Sequence, residues 1–281
     1  LRLLHYFRLM RLHKPIGILL LWWPTAWALW LASEGKPPFS LTLLFLAGTV
    51  CMRSAGCVIN DIADRHVDLH VKRTKTRPLT AGQVNLIEAF CLLFILLLLA
   101  LTILLQLPKP CFYYALVAVV VTLLYPFCKR FIQSPQLVLG IAFSMGIPMV
   151  YAALDHLVDK TMMILLFINF IWVVAYDTEY AMADREDDLR IGIKSTAILF
   201  ASYDKLAIAL LQVLLHLLWL PLAFTLNSLF FWGCWFYAAL NLVYQQRLIR
   251  QREAVNCFNA FTSNNWYGLS MWIGIVGAMG R

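Results

Sequence analysis

Apolar runs of roughly membrane-spanning length recur along almost the whole chain. No other feature restricts its fold as much. They fall at 16–33, 39–59, 85–106, 111–127, 135–154, 161–176, 205–223, 228–244 and 265–280. A helix crossing the hydrocarbon core needs about 20 such residues, with tilt and short re-entrant pieces allowing some spread. Nine candidate spans follow. The runs lack the alternation of a barrel strand, so they are expected to be helices. Composition agrees, with 62% hydrophobic and only 14% charged residues, where a soluble domain averages about 25% charged. The expected class is all-α, a polytopic membrane protein forming one integral domain over residues 1–281. The first run is too long for a signal-peptide core and lacks a small-residue cleavage site before the next, so it is expected to be retained.

A net charge of +8 could suggest a nucleic-acid partner, but the distribution of charge argues against one. If the N-terminus is cytoplasmic, nine spans place 18 of the 23 Lys and Arg on that side: Arg2, Arg8, Arg11, Lys14, Arg65, Lys72, Arg73, Lys75, Arg77, Lys129, Arg130, Arg185, Arg190, Lys194, Lys205, Arg247, Arg250 and Arg252. The other side holds Lys36, Lys109, Lys160 and Arg281, and Arg53 alone lies inside a run. This is the positive-inside bias. The seven cysteines show no CxxC spacing and mostly lie in apolar runs, as small packing residues do.

Nine of the 15 acidic residues fall in two stretches. One is N-D-I-A-D-R-H-V-D, with Asn60, Asp61, Asp64 and Asp68; the other is D-T-E-Y-A-M-A-D-R-E-D-D, with Asp177, Tyr180, Asp184, Asp187 and Asp188. Each follows an apolar run and opens one of the two long connections, 61–84 and 177–204. A carboxylate at a bilayer-embedded helix centre costs about 2.5–3.5 kcal/mol, so such a concentration calls for a reason. A shift of 120 residues maps Asp64 and Asp68 onto Asp184 and Asp188, and Asn60 onto Tyr180, as a weak parallel repeat would.

If each cluster continues the preceding helix, Asp61, Asp64 and Asp68 share an arc of about 60°, with Asn60 and Arg53 beside it. Asp177, Tyr180, Asp184, Asp187 and Asp188 share an arc of about 100°. Two such faces brought together make an oxygen-rich cavity suited to Mg²⁺ bridging carboxylates to substrate phosphates. His66 and His70 point away from the first face and are not expected to bind zinc. Lys72, Arg73, Lys75 and Arg77 follow the first cluster; Arg185, Arg190 and Lys194 accompany the second; Lys129 and Arg130 end the fourth run. Cations beside acids suit a metal-bridged diphosphate, although the positive-inside bias accounts for most of them singly. Arg53 lies about two turns deeper than Asn60 on the same face, where an ionisable group is a functional candidate. A cation transporter is the competing class, but its acids would sit near the midplane rather than at one face.

These residues carry a resemblance. N-D-x-x-D-x-x-x-D paired with D-T-x-Y-A-x-x-D-x-x-D-D resembles the UbiA superfamily of intramembrane prenyltransferases. R-L-H-K-P-I-G-I-L-L-L-W-W-P-T-A-W-A-L-W (11–30), R-S-A-G-C-V-I-N-D-I-A-D-R (53–65), V-K-R-T-K-T-R-P-L (71–79), Y-P-F-C-K-R (125–130) and G-I-K-S-T-A-I-L-F (192–200) resemble its branch acting on 4-hydroxybenzoate in ubiquinone biosynthesis. The likeness covers residues 8 to 280, with His13 standing where that branch often has Asp.

The resemblance implies nine transmembrane helices around a central cavity. It implies Mg²⁺ and a diphosphate held by Asp61, Asp64, Asp68, Asp177, Asp184 and Asp188, with Asp64, Asp68, Asp184 and Asp188 catalytic. Lys72, Arg77, Arg130 and Lys194 are the expected diphosphate ligands, Arg130 at the family's position; Arg53 and Asn60 are the expected contacts of the aromatic acceptor. The implied reaction moves a polyprenyl group from polyprenyl diphosphate to the ring carbon ortho to the hydroxyl of 4-hydroxybenzoate. The implied setting is a bacterial inner membrane with the N-terminus and acidic motifs cytoplasmic, with no nucleic acid and no obligate protein partner. A relative taking a naphthoate, homogentisate or chlorin ring is excluded only by the branch-like stretches.

Overall fold

A computed structural model describes residues 2–71 and 73–280. Among them there is no strand. Thirteen α-helices follow in order: α1 (Arg2–Leu9), α2 (Ile16–Ala32), α3 (Phe39–Asp64), α4 (Leu86–Leu104), α5 (Cys111–Phe131), α6 (Pro135–Ser144), α7 (Gly146–Ala153), α8 (Lys160–Ile191), α9 (Thr196–Leu199), α10 (Asp204–Leu217), α11 (Leu220–Leu226), α12 (Leu229–Leu248) and α13 (Ala254–Met279).

Local chemistry sets many of these bounds. Asn85 and Glu88 form a reciprocal capping box that starts α4. Asp159 caps α8 by accepting from the Met162 amide at 2.7 Å, and Gly192 ends that helix in the left-handed region at φ +74°. Two rods are broken by proline. Pro148 has no N–H to offer the Ser144 carbonyl, and α6 ends at Ser144; Pro221 likewise has none for Leu217, where α10 ends.

All nine apolar runs lie on helices. Six helical segments are long and apolar enough to cross a membrane: Phe39–Asp64, Leu86–Leu104, Cys111–Phe131, Pro135–Ala153, Lys160–Ile191 and Ala201–Leu226. The runs at 16–33, 228–244 and 265–280 fall on α2, which is shorter, and on α12 and α13, whose Asn, Gln, Trp and Tyr lower their hydropathy. Two boundaries differ from expectation. Helix α13 starts well before residue 265, because its polar first half is buried rather than looped out: Ser263 and Asn264 are among its inward residues. Helix α8 does not stop at 176 but runs to Ile191, so the second acidic cluster is helical and not a loop.

The core is aromatic. Trp27, Trp172 and Trp219 are fully buried. The Trp27 ring lies 5.2 Å from Trp172 and 5.1 Å from Trp219. Trp22 and Trp23 are buried beside them and Trp30 partly so, in line with a packing role for that cluster. Gly268 of α13 permits this, since a Cβ there would fall on the indole of Trp23. Helix α8 is the hub, packed against α6, α10 and α13. Helices α4 and α5 turn large apolar side chains outward, Ile87, Phe94, Tyr113 and Leu116 among them, as lipid-facing helices do.

Candidate active site

The C-terminal end of α3 and the C-terminal half of α8 form facing walls of one polar cavity of about 630 Å³, counted with its open mouth. Asp64, Asp68, Asp177, Asp184 and Asp188 line it, together with Arg73, Arg77, Lys129 and Lys194. The two clusters therefore meet, although they are more than 100 residues apart in sequence.

Ion pairs span the cavity. Arg73, from the segment after α3, reaches across to Asp184 of α8, donating from Nε to Oδ1 at 2.9 Å and from Nη2 to Oδ2. Its guanidinium also lies over the Tyr180 ring, 4.6 Å from the centroid. Arg77 donates to Asp68 at 2.7 Å and to Asp61 at 3.0 Å. Burial works against the charge of both guanidiniums. For Arg77 the Asp61 carboxylate leads the interactions that outweigh it, and for Arg73 Tyr180 and Asp184 do so, so both stay protonated above the ordinary arginine range. Lys129 sits 3.8 Å from Asp64. The Tyr125 hydroxyl donates to Asp177 at 3.4 Å.

Not every expected site residue lines this cavity. Asp61 is fully buried behind it, clasped by Arg77 and by Arg11 at 2.8 Å. Arg130 is turned to the Ala63 carbonyl at 2.9 Å and is not on the wall; its neighbour Lys129 is. Arg185 faces away to Asp204 at 2.9 Å, and Asp187 lies within 4.0 Å of Arg190. Lys194 is on the wall and donates to the Phe131 carbonyl at 3.1 Å. Lys72 falls outside the described residues. His66 and His70 are not on the wall. Burial first, then Lys14, Arg11 and Arg8, push His13 below the ordinary histidine range.

Deeper among α2 to α7 lies a larger, apolar cavity of about 1310 Å³. Its walls are mainly aliphatic, with Phe45 and Phe143 the only aromatic side chains on them among the described residues. Trp22, Trp23, Trp27, Trp172 and Trp219 pack in the core instead. Its single charge is Arg53. The guanidinium lies over Phe143 at 5.9 Å and against Gly17, where a Cβ would overlap it. Among the described residues Arg53 has no ion pair within 4.0 Å, and its buried Nε has no hydrogen-bond partner. Asn60 lines neither cavity, and its buried Oδ1 is also without a partner.

Sequence reasoning placed Arg73, Lys129, Tyr125 and Gln136 no closer than general positions in basic or apolar stretches. Gln136 fixes the rim, accepting from the Thr196 amide at 3.0 Å. Only the tertiary fold aims these groups.

The wall chemistry fits a hard divalent cation carried with phosphate. The donors are carboxylate oxygens. Among the described residues no three acidic, His or Cys side chains converge tightly enough to enclose an ion. That suits Mg²⁺, which uses one or two carboxylates and completes its shell from phosphate and water. Among the described residues Asp64, Asp177 and Asp188 are the wall carboxylates with no guanidinium on them.

One helical membrane scaffold thus carries an acid-and-cation chamber and a separate oily one, the two surroundings that an enzyme of apolar diphosphates needs. The family model for the UbiA prenyltransferase family matches residues 21–273, and the chain belongs to that family. It is 59% identical to a 4-hydroxybenzoate octaprenyltransferase of Legionella pneumophila over 271 residues, 96% of each chain. Its fold is that of a UbiA homolog from Aeropyrum pernix K1, with a TM-score of 0.80 at 22% identity, covering 94% of this chain and 98% of that one. A UbiA homolog from Archaeoglobus fulgidus bound to GPP and Mg²⁺ aligns with a TM-score of 0.71 at 17% identity, over 97% and 99%.

Proposed function

We propose that this chain transfers a polyprenyl group from polyprenyl diphosphate to the ring carbon ortho to the hydroxyl of 4-hydroxybenzoate, a step of ubiquinone biosynthesis. The Legionella relative's name supports the acceptor and an octaprenyl donor. The observation that carries the reading is the meeting of both acidic clusters on one cavity beside an apolar chamber holding a single, unpaired arginine.

The diphosphate lies against Arg77, Lys129 and Lys194, whose charges stabilise the oxygens as the bond to the allylic carbon breaks. Magnesium, named in the Archaeoglobus homolog, would be held by carboxylates among Asp64, Asp68, Asp184 and Asp188, one or two to an ion, and would supply further neutralisation of that leaving group. Asp61 holds Arg77 in place rather than touching substrate. The isoprenoid chain occupies the apolar chamber, which excludes water from the cationic carbon. Arg53 pairs with the acceptor's carboxylate and aims its ring, and Asn60 supports that end of α3. The electron pair of the ring forms the new carbon–carbon bond, and the displaced ring proton passes to Asp177 or to water.

The arrangement in the membrane is nine spans, with α2, α12 and α13 joining the six apolar segments. The N-terminus and the charged cavity face the cytoplasm of a bacterial inner membrane, as the distribution of Lys and Arg supports. The decisive experiment is a panel of donors and aromatic acids incubated with membranes, read by product mass. An octaprenylated 4-hydroxybenzoate that forms only with divalent metal is expected, with loss of turnover in Asp64→Asn and in Asp184→Asn. Wild-type turnover in both at saturating Mg²⁺ would refute the metal assignment.

A further inference from the structure

Arg73 occupies both oxygens of Asp184, one of the carboxylates assigned above to the metal. A cation reaching Asp184 must displace at least one of those hydrogen bonds. The Asp184 side chain is only 15% exposed and that of Arg73 35%, so a displaced guanidinium is not fully repaid by water. The cost falls if an anion arrives at the same moment. Arg73 already lines the cavity where the diphosphate is placed, and its planar fork fits phosphate oxygens as well as carboxylate. Tyr180, beneath the guanidinium at 4.6 Å, keeps it on the wall while its partner changes.

We infer that Arg73 is the exchangeable counter-ion of Asp184, giving up the carboxylate to metal only when a diphosphate takes the guanidinium. The inference rests on the metal and diphosphate reading above and adds a binding rule to it. The site takes divalent metal together with diphosphate in preference to metal alone, and one residue couples the two. Free metal is thereby kept from occupying a site that has no leaving group to act on.

The test is binding, not turnover. Full-length protein in lipid nanodiscs is titrated with Mn²⁺, the free ion being followed by electron paramagnetic resonance, with and without inorganic diphosphate. For Arg73→Gln, Mn²⁺ alone should bind roughly fivefold more tightly than to wild type, about what one partly exposed charge-assisted pair is worth. With inorganic diphosphate, the same variant should bind Mn²⁺ at least about fivefold more weakly. A merely damaged site would weaken both. Lys75→Gln, which removes an exposed cation two residues away, should change neither, separating exchange from bulk charge. Arg73→Gln that fails to tighten Mn²⁺ alone, or Lys75→Gln that tightens it equally, overturns the inference while the metal site stands. If Mn²⁺ fails to bind wild type even with diphosphate, the metal reading falls too.

Discussion

Gly17 illustrates how much a single missing methyl group decides. The side chain of Arg53 lies where a Cβ at Gly17 would be, so Gly17→Ala must push the guanidinium off its position over Phe143. We expect Gly17→Ala to raise KM for the aromatic acid about tenfold while leaving that for the prenyl donor near wild type, as a shift in one buried ion pair would; steady-state kinetics with each substrate varied checks it. Asp61→Asn should behave differently from Asp64→Asn. It loosens Arg77 and Arg11 without removing a wall carboxylate, so donor affinity falls while the metal concentration for half-maximal rate stays unchanged. Asp64 reaches the wall from the end of α3 and Asp68 from the short 3-10 turn after it, whereas the i,i+4 spacing of Asp184 with Asp188 was readable from sequence because α8 carries both on one side. Asp61 was not, because its partner Arg11 comes from before α2, and no local pattern announces a contact 50 residues distant.

At the scale of the element, four consecutive side chains of α8 anchor it in four directions. Asp177 meets Tyr125 of α5 at 3.4 Å. Thr178 meets Thr196 of α9 at 2.6 Å. Glu179, fully buried, accepts from Gln212 of α10 at 3.1 Å and from Asn264 of α13 at 2.8 Å. The Tyr180 ring lies 4.9 Å from that of Phe261. Together they fix the rotation of the helix about its axis and so aim Asp184 and Asp188 one and two turns further on. Glu179→Leu takes one acceptor from each of two amides, Gln212 keeping Gln245 and Asn264 keeping the Ala260 carbonyl, and should cost about 1–3 kcal/mol of stability, seen as a lower thermal midpoint in detergent. Glu179→Gln keeps an acceptor and should lose much less. The sequence pointed to the face of α8 that holds Asp177 and Tyr180 but not to Glu179 on the opposite side, since a single Glu there has no period to betray it. Proline breaks in α6–α7 and α10–α11 were open to prediction from the missing N–H. The long polar start of α13 was not, because Asn264 and Asn265 meet their partners Glu179, Trp172 and Trp23 only after the helices pack.

Over the whole molecule, chamber size becomes the variable. Gly48 faces the apolar cavity with its nearest neighbour, Ile103, 3.8 Å from the place of a Cβ, so a large side chain there would project into the space. Gly48→Phe should shift preference toward shorter prenyl donors by about tenfold in kcat/KM, the scale on which lost apolar contact discriminates substrates; competing donors of different length, resolved by product mass, report it. The nine apolar runs foretold the helical bundle, since length and hydropathy suffice for that. Neither chamber could be drawn from them, because a cavity is a property of how faces meet, not of any one segment.

The disjoint walls of the two chambers also bear on how turnover ends. On the function proposed above, once the bond to the allylic carbon has broken, one fragment is a small hydrated anion against salt-bridging side chains. The other is an oil-like tail among aliphatic ones. Each is already solvated by surroundings resembling its destination, aqueous for the first and hydrocarbon for the second. Departure in opposite directions then needs no common exit, and neither fragment must cross the other's barrier to leave.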